Sequence, residues 1–328
     1  MKKSPWPSWL VALWGGMLMA FVPSTKAAYP EKPIEIVVHS APGSGSDLFT
    51  RTVAKIMEKE GIVKQKIQVS NRPGGGAVAA VNYLASKKGD PYVLMHTTAG
   101  PIFAVVRGLT QVKIEDLTLI AVLVEDPIVA FTRYDSPYKD MKSLIDAAKK
   151  APNKINIAVA TVGGSEHICA HRTAKAAGVK FNITPFKGGA EATVAILGGH
   201  VDCSFGRVNV QMGQIEAKKI RALATMGEKR VPSLPDTPTM KELGIPAAFS
   251  AIRGFWGPPD FPPYAVQFWE EAFAKMLKTK EFRDYLQASQ DVEFFLAREN
   301  FKKFLAKYID ESKKDVEELE IYKGKGRK

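Results

Sequence analysis

Apolar positions in this chain fall into short runs that alternate with helix-spaced segments. Residues 34–40 form a β-branched run entered through Pro33, and Ala41-Pro42-Gly43-Ser44-Gly45-Ser46 breaks it. Phe49, Val53, Ile56 and Met57 then recur at the spacing of one helix face, and Gly61 ends that helix. Residues 66–70 predict a second strand, 71–76 a glycine-rich turn, 77–86 a helix and 92–96 an apolar strand closed by Thr97-Thr98-Ala99-Gly100. A second series begins near Phe131. Helices are predicted over 140–150, 166–177 and 190–197, and strands over 155–160, 181–185, 201–205 and 220–225. Prolines cluster at 232–238, glycines and prolines at 254–263, and the remainder reads as helix over 264–277, 281–288 and 300–319. Continuous apolar strands alternating with helices predict parallel sheets covered on both faces.

This pattern implies two α/β units and a helical C-terminus. Three helices alone have no sheet to cover, so they are expected to pack back onto the first unit. The chain then crosses between units twice, near 124–131 and near 249–256. The expected domains are 29–127 together with 252–328, and 128–251, with a central cleft between them.

Residues 1–28 stand outside this pattern. Lys2 and Lys3 precede an uncharged apolar run over 10–22, and small residues lead to Ala27 and Ala28. That is the three-part form of a secretory signal. The run is shorter than the roughly 20 apolar residues of a membrane-spanning helix. The expectation is an exported protein cleaved near Ala27 or Ala28.

Composition narrows the class further. The chain has 328 residues, 45% hydrophobic and 24% charged, which excludes a disordered tail, a coiled coil and a polytopic membrane protein. A net charge of +12 invites a nucleic-acid reading, but the basic residues are interspersed with acids, as in Lys55, Glu58, Lys59 and Glu60. No aromatic-basic ladder occurs, so no nucleic-acid partner is expected. Cys169 and Cys203 could bridge in an oxidising compartment or remain two buried thiols.

Four turns join a strand to a following helix: Gly43 to Ser46, Thr97 to Gly100, Gly163 to Ser165, and Lys187 to Gly189. Glycines allow close backbone approach, and the next helix offers unpaired N–H groups at the positive end of its dipole. Such a turn can hold an anion. Ser44-Gly45-Ser46-Asp47 also reads as a capping box. Neither a dinucleotide fingerprint nor a Walker lysine is present, and no Gly-x-Ser-x-Gly elbow exists. His167 and His171 flank Cys169 at helical spacing but lack a further ligand cluster, so no metal is expected. His167 reads as a polar contact near a helix start and His171 as part of a solvated face. Trp256 reads as packing at the second crossing.

As a set, these segments resemble one family. Tyr29-Pro30-Glu31-Lys32-Pro33-Ile34, Ala41-Pro42-Gly43-Ser44-Gly45-Ser46-Asp47 and Asn71-Arg72-Pro73-Gly74-Gly75-Gly76 resemble the opening segments of tripartite tricarboxylate transporter receptors, the Bug family. Gly163-Gly164-Ser165-Glu166-His167-Ile168, the stretch from Pro185-Phe186-Lys187-Gly188-Gly189 to Gly199-His200-Val201-Asp202, and Leu234-Pro235-Asp236-Thr237-Pro238-Thr239 are similar to its later motifs. The resemblance implies a type 2 periplasmic-binding-protein fold, with no catalysis and no cofactor. It implies a monomeric receptor for a small carboxylate (an organic acid, dicarboxylate, aromatic acid or acidic amino acid), served by a membrane partner of one large and one small subunit. Carried onto this chain, it assigns Gly43, Ser44, Ser46 and Asp47 to a first-domain loop, and Thr97 and Thr98 to the cleft wall. Thr161, Gly163, Ser165 and His167 fall in one second-domain loop, and Lys187, Gly188 and Gly189 in the other. Ser40 stands where an aromatic residue is common and Phe186 where tyrosine is. Arg207 either reaches the pocket as an anion partner or is a surface arginine. An exported enzyme acting on an organic acid, or a binding protein linked to a sensor, are the alternative readings.

Overall fold

The computed structural model describes residues 29–160, 164–186 and 188–319. The expected signal segment therefore lies outside the described residues, as do Thr161, Gly163 and Lys187. The first series comprises β1 (Ile34–Val38), α1 (Gly45–Lys59), β2 (Ile67–Asn71), α2 (Val78–Ser86), β3 (Val93–Thr97), α3 (Ala99–Val106) and β4 (Thr118–Glu125). The second comprises β5 (Ile128–Arg133), α4 (Met141–Lys150), β6 (Asn156–Val159), α5 (Ser165–Ala177), β7 (Asn182–Pro185), α6 (Gly189–Leu197), β8 (Cys203–Arg207), α7 (Val208–Glu216) and β9 (Ile220–Thr225). The chain returns through β10 (Ile252–Gly257), α8 (Pro263–Leu277), α9 (Lys280–Ser289), β11 (Val292–Ala297) and α10 (Arg298–Glu318).

Two sheets result, ordered β11-β4-β10-β3-β1-β2 and β7-β6-β8-β5-β9. Both are mixed, which corrects the expectation of parallel sheets. The helix-linked strands β1, β2 and β3 pair parallel, whereas β10 runs antiparallel to β3 and β4. β10 enters from the other sheet, so it meets the first from the opposite end. The C-terminal region is not all helical either. The half-buried run Val292–Ala297 is an edge strand against β4.

Crossings occur where the runs implied, but each is bounded by a strand. Asp126 and Pro127 alone separate β4 from β5. The two crossings bond to each other, the Asp126 amide donating to the Ala251 carbonyl at 2.7 Å, and the return crossing is also tied to the end of β9, the Phe249 amide donating to the Met226 carbonyl at 2.9 Å. Trp256 is fully buried on β10, in line with its reading as packing. Gly254, on the same strand, is required by space. A Cβ there would lie 2.4 Å from the Ala121 carbonyl oxygen and 3.0 Å from the Val122 Cα of β4.

The last helix packs on the first sheet, as expected of a tail that must cover a core. Phe301, Leu305 and Tyr308 of α10 are buried, and Tyr308 stacks with Phe103 of α3. It also reaches the second unit. Arg172 of α5 bonds Asp315 at 2.7 Å and Glu311 at 3.1 Å, and His171 meets Glu318 at 2.9 Å. His171 is therefore a hydrogen-bond partner of Glu318, not part of a solvated face. Cys169 and Cys203 are both fully buried and free. Burial pushes the Cys203 thiol up to about 12 and raises that of Cys169 too, so both are inert apolar fillers.

Candidate functional site

A cavity of about 350 Å³ opens where the starts of three helices meet the two crossings. Ser40, Ser44, Gly45 and Ser46 border it at the start of α1, and Thr98, Ala99 and Gly100 at the start of α3. Ser165 and Arg207 contribute from α5 and β8, and Asp126, Ala251, Ile252 and Arg253 from the crossings. Both sheets therefore supply its wall.

The α1 turn is built by the residues around it. Ser44 is the N-cap, and its Oγ accepts from the Asp47 amide at 3.4 Å and lies 2.6 Å from the Ser40 Oγ. Asp47 does not complete the expected box. Its carboxylate accepts instead from the Gly43 amide at 2.8 Å, from Arg51 Nε at 3.0 Å and from Asn71 Nδ2 at 2.9 Å. Burial pushes this carboxyl upward, but Arg51, the Gly43 amide and Asn71 together hold it below the usual carboxylate range. Asn71 also donates to the Ser40 carbonyl at 3.0 Å. Asp47 thus sits beneath the loop and does not border the cavity. Gly43, at φ +78°, makes the turn that glycine adopts freely.

Thr98 caps α3, accepting from the Gly100 amide at 3.3 Å, and its Oγ1 lies 3.4 Å from His39 Nε2. Burial lowers His39 to about 4, so the imidazole behind this wall is neutral at pH 7. Thr97 is fully buried and does not border the cavity. His167 is half-buried, also off the wall, and burial lowers its pKa. Gly188 and Gly189 lie at the start of α6, away from the cavity lining.

Arg207 is no surface arginine. Its Nη1 lies 2.5 Å from Asp126 Oδ2 and its Nε 3.0 Å from Glu166 Oε1. Arg253 Nη2 meets the same Asp126 oxygen at 2.5 Å. Behind it, Arg253 Nε lies 3.7 Å from Asp291, which accepts from the Tyr285 hydroxyl at 2.7 Å. Burial pushes the Asp291 carboxyl up to about 6, with Arg253 opposing the rise. Sequence reasoning missed Asp126 and Arg253. Their one signal was charge at the edge of an apolar stretch at each crossing, Glu125 and Asp126 before Pro127 and Ile128, and Arg253 after Ala251 and Ile252.

Glu125, beside the first crossing, is largely buried, which pushes its carboxyl up to about 7 although Ser250 donates a hydrogen bond to it. A carboxyl raised in the folded state holds its proton longer there than in the unfolded chain. Stability is therefore lost as pH rises from about 4.5 to 7, by about 3 kcal/mol at most. Glu125→Gln is expected to gain about 2 kcal/mol over the parent at pH 8 and nothing near pH 5. Urea unfolding at the two pH values checks this, and an equal effect at both would refute the assignment.

The arrangement can hold an anion. Helix starts offer amides and positive dipole ends, five hydroxyls offer donors and acceptors, and two guanidinium groups stand at one wall. Among the described residues, no group of three or more His, Cys, Asp or Glu could hold a metal ion.

Comparison with known proteins agrees with this fold. Residues 49–321 match the description "Tripartite tricarboxylate transporter family receptor". The chain is 29% identical to the "UPF0065 protein in gbd 5'region" of Cupriavidus necator over 297 residues, covering 90% of each. A TctC solute-binding protein from Polaromonas superposes with a TM-score of 0.80 at 27% identity, over 88% of this chain and 99% of that one. An R. palustris protein with adipate shares the fold at a TM-score of 0.72 and 22% identity, over 89% and 98% of the two chains. With two α/β sheets and a family match across most of its length, the chain belongs to the tripartite tricarboxylate transporter receptor family of solute-binding proteins.

Proposed function

We propose that this receptor captures a small carboxylate in the cavity described above, closes on it, and delivers it to a membrane transporter of one large and one small subunit. The observation that carries the reading is the convergence of the α1, α3 and α5 starts on one cavity from elements of both sheets. Ser40, Ser44, Ser46, Thr98, Ser165 and Arg207 are the proposed contacts, with Asp47 and Gly43 setting the loop. The neighbour with adipate supports a carboxylate ligand by analogy of fold. Residues 29–127 with 252–328 form one closing body in this reading, and 128–251 the other. Closure follows from contacts that the ligand makes to both bodies only in the closed form.

Export to the periplasm fits the signal-like segment. No helix of the described residues is long and apolar enough to cross a membrane.

The test is thermal unfolding of protein freed of ligand by unfolding and refolding, against a panel of mono-, di- and tricarboxylates and amino acids. A true ligand at a hundredfold its Kd is expected to add about 2.7 kcal/mol. A panel in which no compound raises the midpoint would refute the reading, and turnover of a bound compound would replace it with an enzyme.

A further inference from the structure

The two arginines at the cavity are already matched by acids. Asp126 Oδ2 lies 2.5 Å from a guanidinium nitrogen of both Arg207 and Arg253, and Glu166 takes the Nε of Arg207. Asp126 itself borders the cavity. Among the described lining residues, two positive side chains face one lining carboxylate and a second at 3.0 Å behind it. Among the described lining residues, what remains positive is the amide-rich start of each helix.

We infer that Asp126 sets the charge class of the ligand: the site takes a singly charged carboxylate bearing hydroxyl groups in preference to a di- or tricarboxylate. The inference rests on the receptor reading and names the substrate class for the same cavity. One carboxylate is served by the helix starts. A second carboxylate meets guanidinium groups whose charge Asp126 and Glu166 already balance, and the lining carboxylate of Asp126 repels it. A neutral polar group meets no such penalty. Ser40, Ser44, Ser46, Thr98 and Ser165 surround it with hydroxyls that both donate and accept.

The experiment is calorimetric titration of the ligand-free protein with matched pairs: 3-hydroxybutyrate against malate, and gluconate against glucarate. Each pair differs by one carboxylate. The parent is expected to bind the monoanion of the better pair at least tenfold tighter. Asp126→Asn removes the one acid that both guanidinium groups share and is expected to move that ratio at least tenfold towards the dianion. The parent's own ratio decides the matter even if the variant does not fold. A parent that prefers the dianion, or a folded variant with an unchanged ratio, overturns the inference while leaving the receptor reading intact. Binding of neither pair, nor of any carboxylate in the wider panel, overturns both.

Discussion

Gly254→Ala is expected to cost the folded protein at least about 3 kcal/mol and roughly 6 °C or more of thermal midpoint. Most single substitutions cost far less. The reason lies in what the added methyl meets. At Gly254 it would lie 2.4 Å from a backbone carbonyl oxygen of β4, and backbone inside a sheet cannot swing aside as a side chain can. β10 is held between β3 and β4 and is also the return crossing, so a displaced strand disturbs the sheet and the cavity wall at Arg253 together. Gly213→Ala is the control. It lies inside α7 with nothing within 4 Å of the added methyl, and alanine there is expected to gain up to about 1 kcal/mol. Denaturant unfolding of the two variants side by side checks the contrast. Equal stabilities would mean that β10 is not seated as described.

Arg253→Leu should be nearly as costly, at about 3 kcal/mol, and its cost should depend on pH. Arg253 is the shared partner of Asp126 and Asp291, whose side chains are 8% and 1% exposed. Removing it leaves Asp126 with Arg207 alone and Asp291 with only the Tyr285 hydroxyl. A buried acid left without its base is the expensive case among ion pairs. The sign follows from Asp291. Its carboxyl is raised to about 6 even with Arg253 opposing, and it rises further without that cation. An acid raised in the folded state costs nothing below its unfolded pKa and its full penalty above the folded one. The deficit of the variant is therefore expected to be largest near pH 8 and to shrink as pH falls towards 5. Unfolding free energies across that range test it. A deficit that is flat with pH, or below about 1 kcal/mol, would show that the pair is solvated.

The local features of this molecule were readable and the distant ones were not. Glycine breaks after apolar runs located the α1 and α3 starts, because a turn and its cap are written in adjacent residues. β11 escaped notice because Phe294, Phe295 and Leu296 form an apolar run too short to separate strand from helix by period. β10 was taken as a connection because Gly254 and Gly257 look like loop residues, whereas Gly254 is there to let β4 come close. Arg207 was legible only as a choice between pocket and surface. The pairing of Asp126 with Arg253 spans 127 residues, and nothing near either residue announces the other. Of the anticipated contacts, Ser40, Ser44, Ser46, Thr98, Ser165 and Arg207 border the cavity, while Asp47, Thr97 and His167 do not. Asp47 lies beneath the loop, and a carboxylate that shapes a loop and one that faces a cavity look alike in a motif.

The C-terminal helix gives the molecule a lever that stands apart from the cavity. None of its residues borders the cavity, yet it rests on the first sheet through Phe301, Leu305 and Tyr308 and grips α5 through Asp315, Glu311 and Glu318. In the proposed closing motion, a swing of one body against the other has to drag that grip along or break it. The resting posture of the molecule is thus answerable to ionic strength, which weakens the exposed Glu311 and Glu318 links far more than it weakens the buried contacts of Phe301, Leu305 and Tyr308.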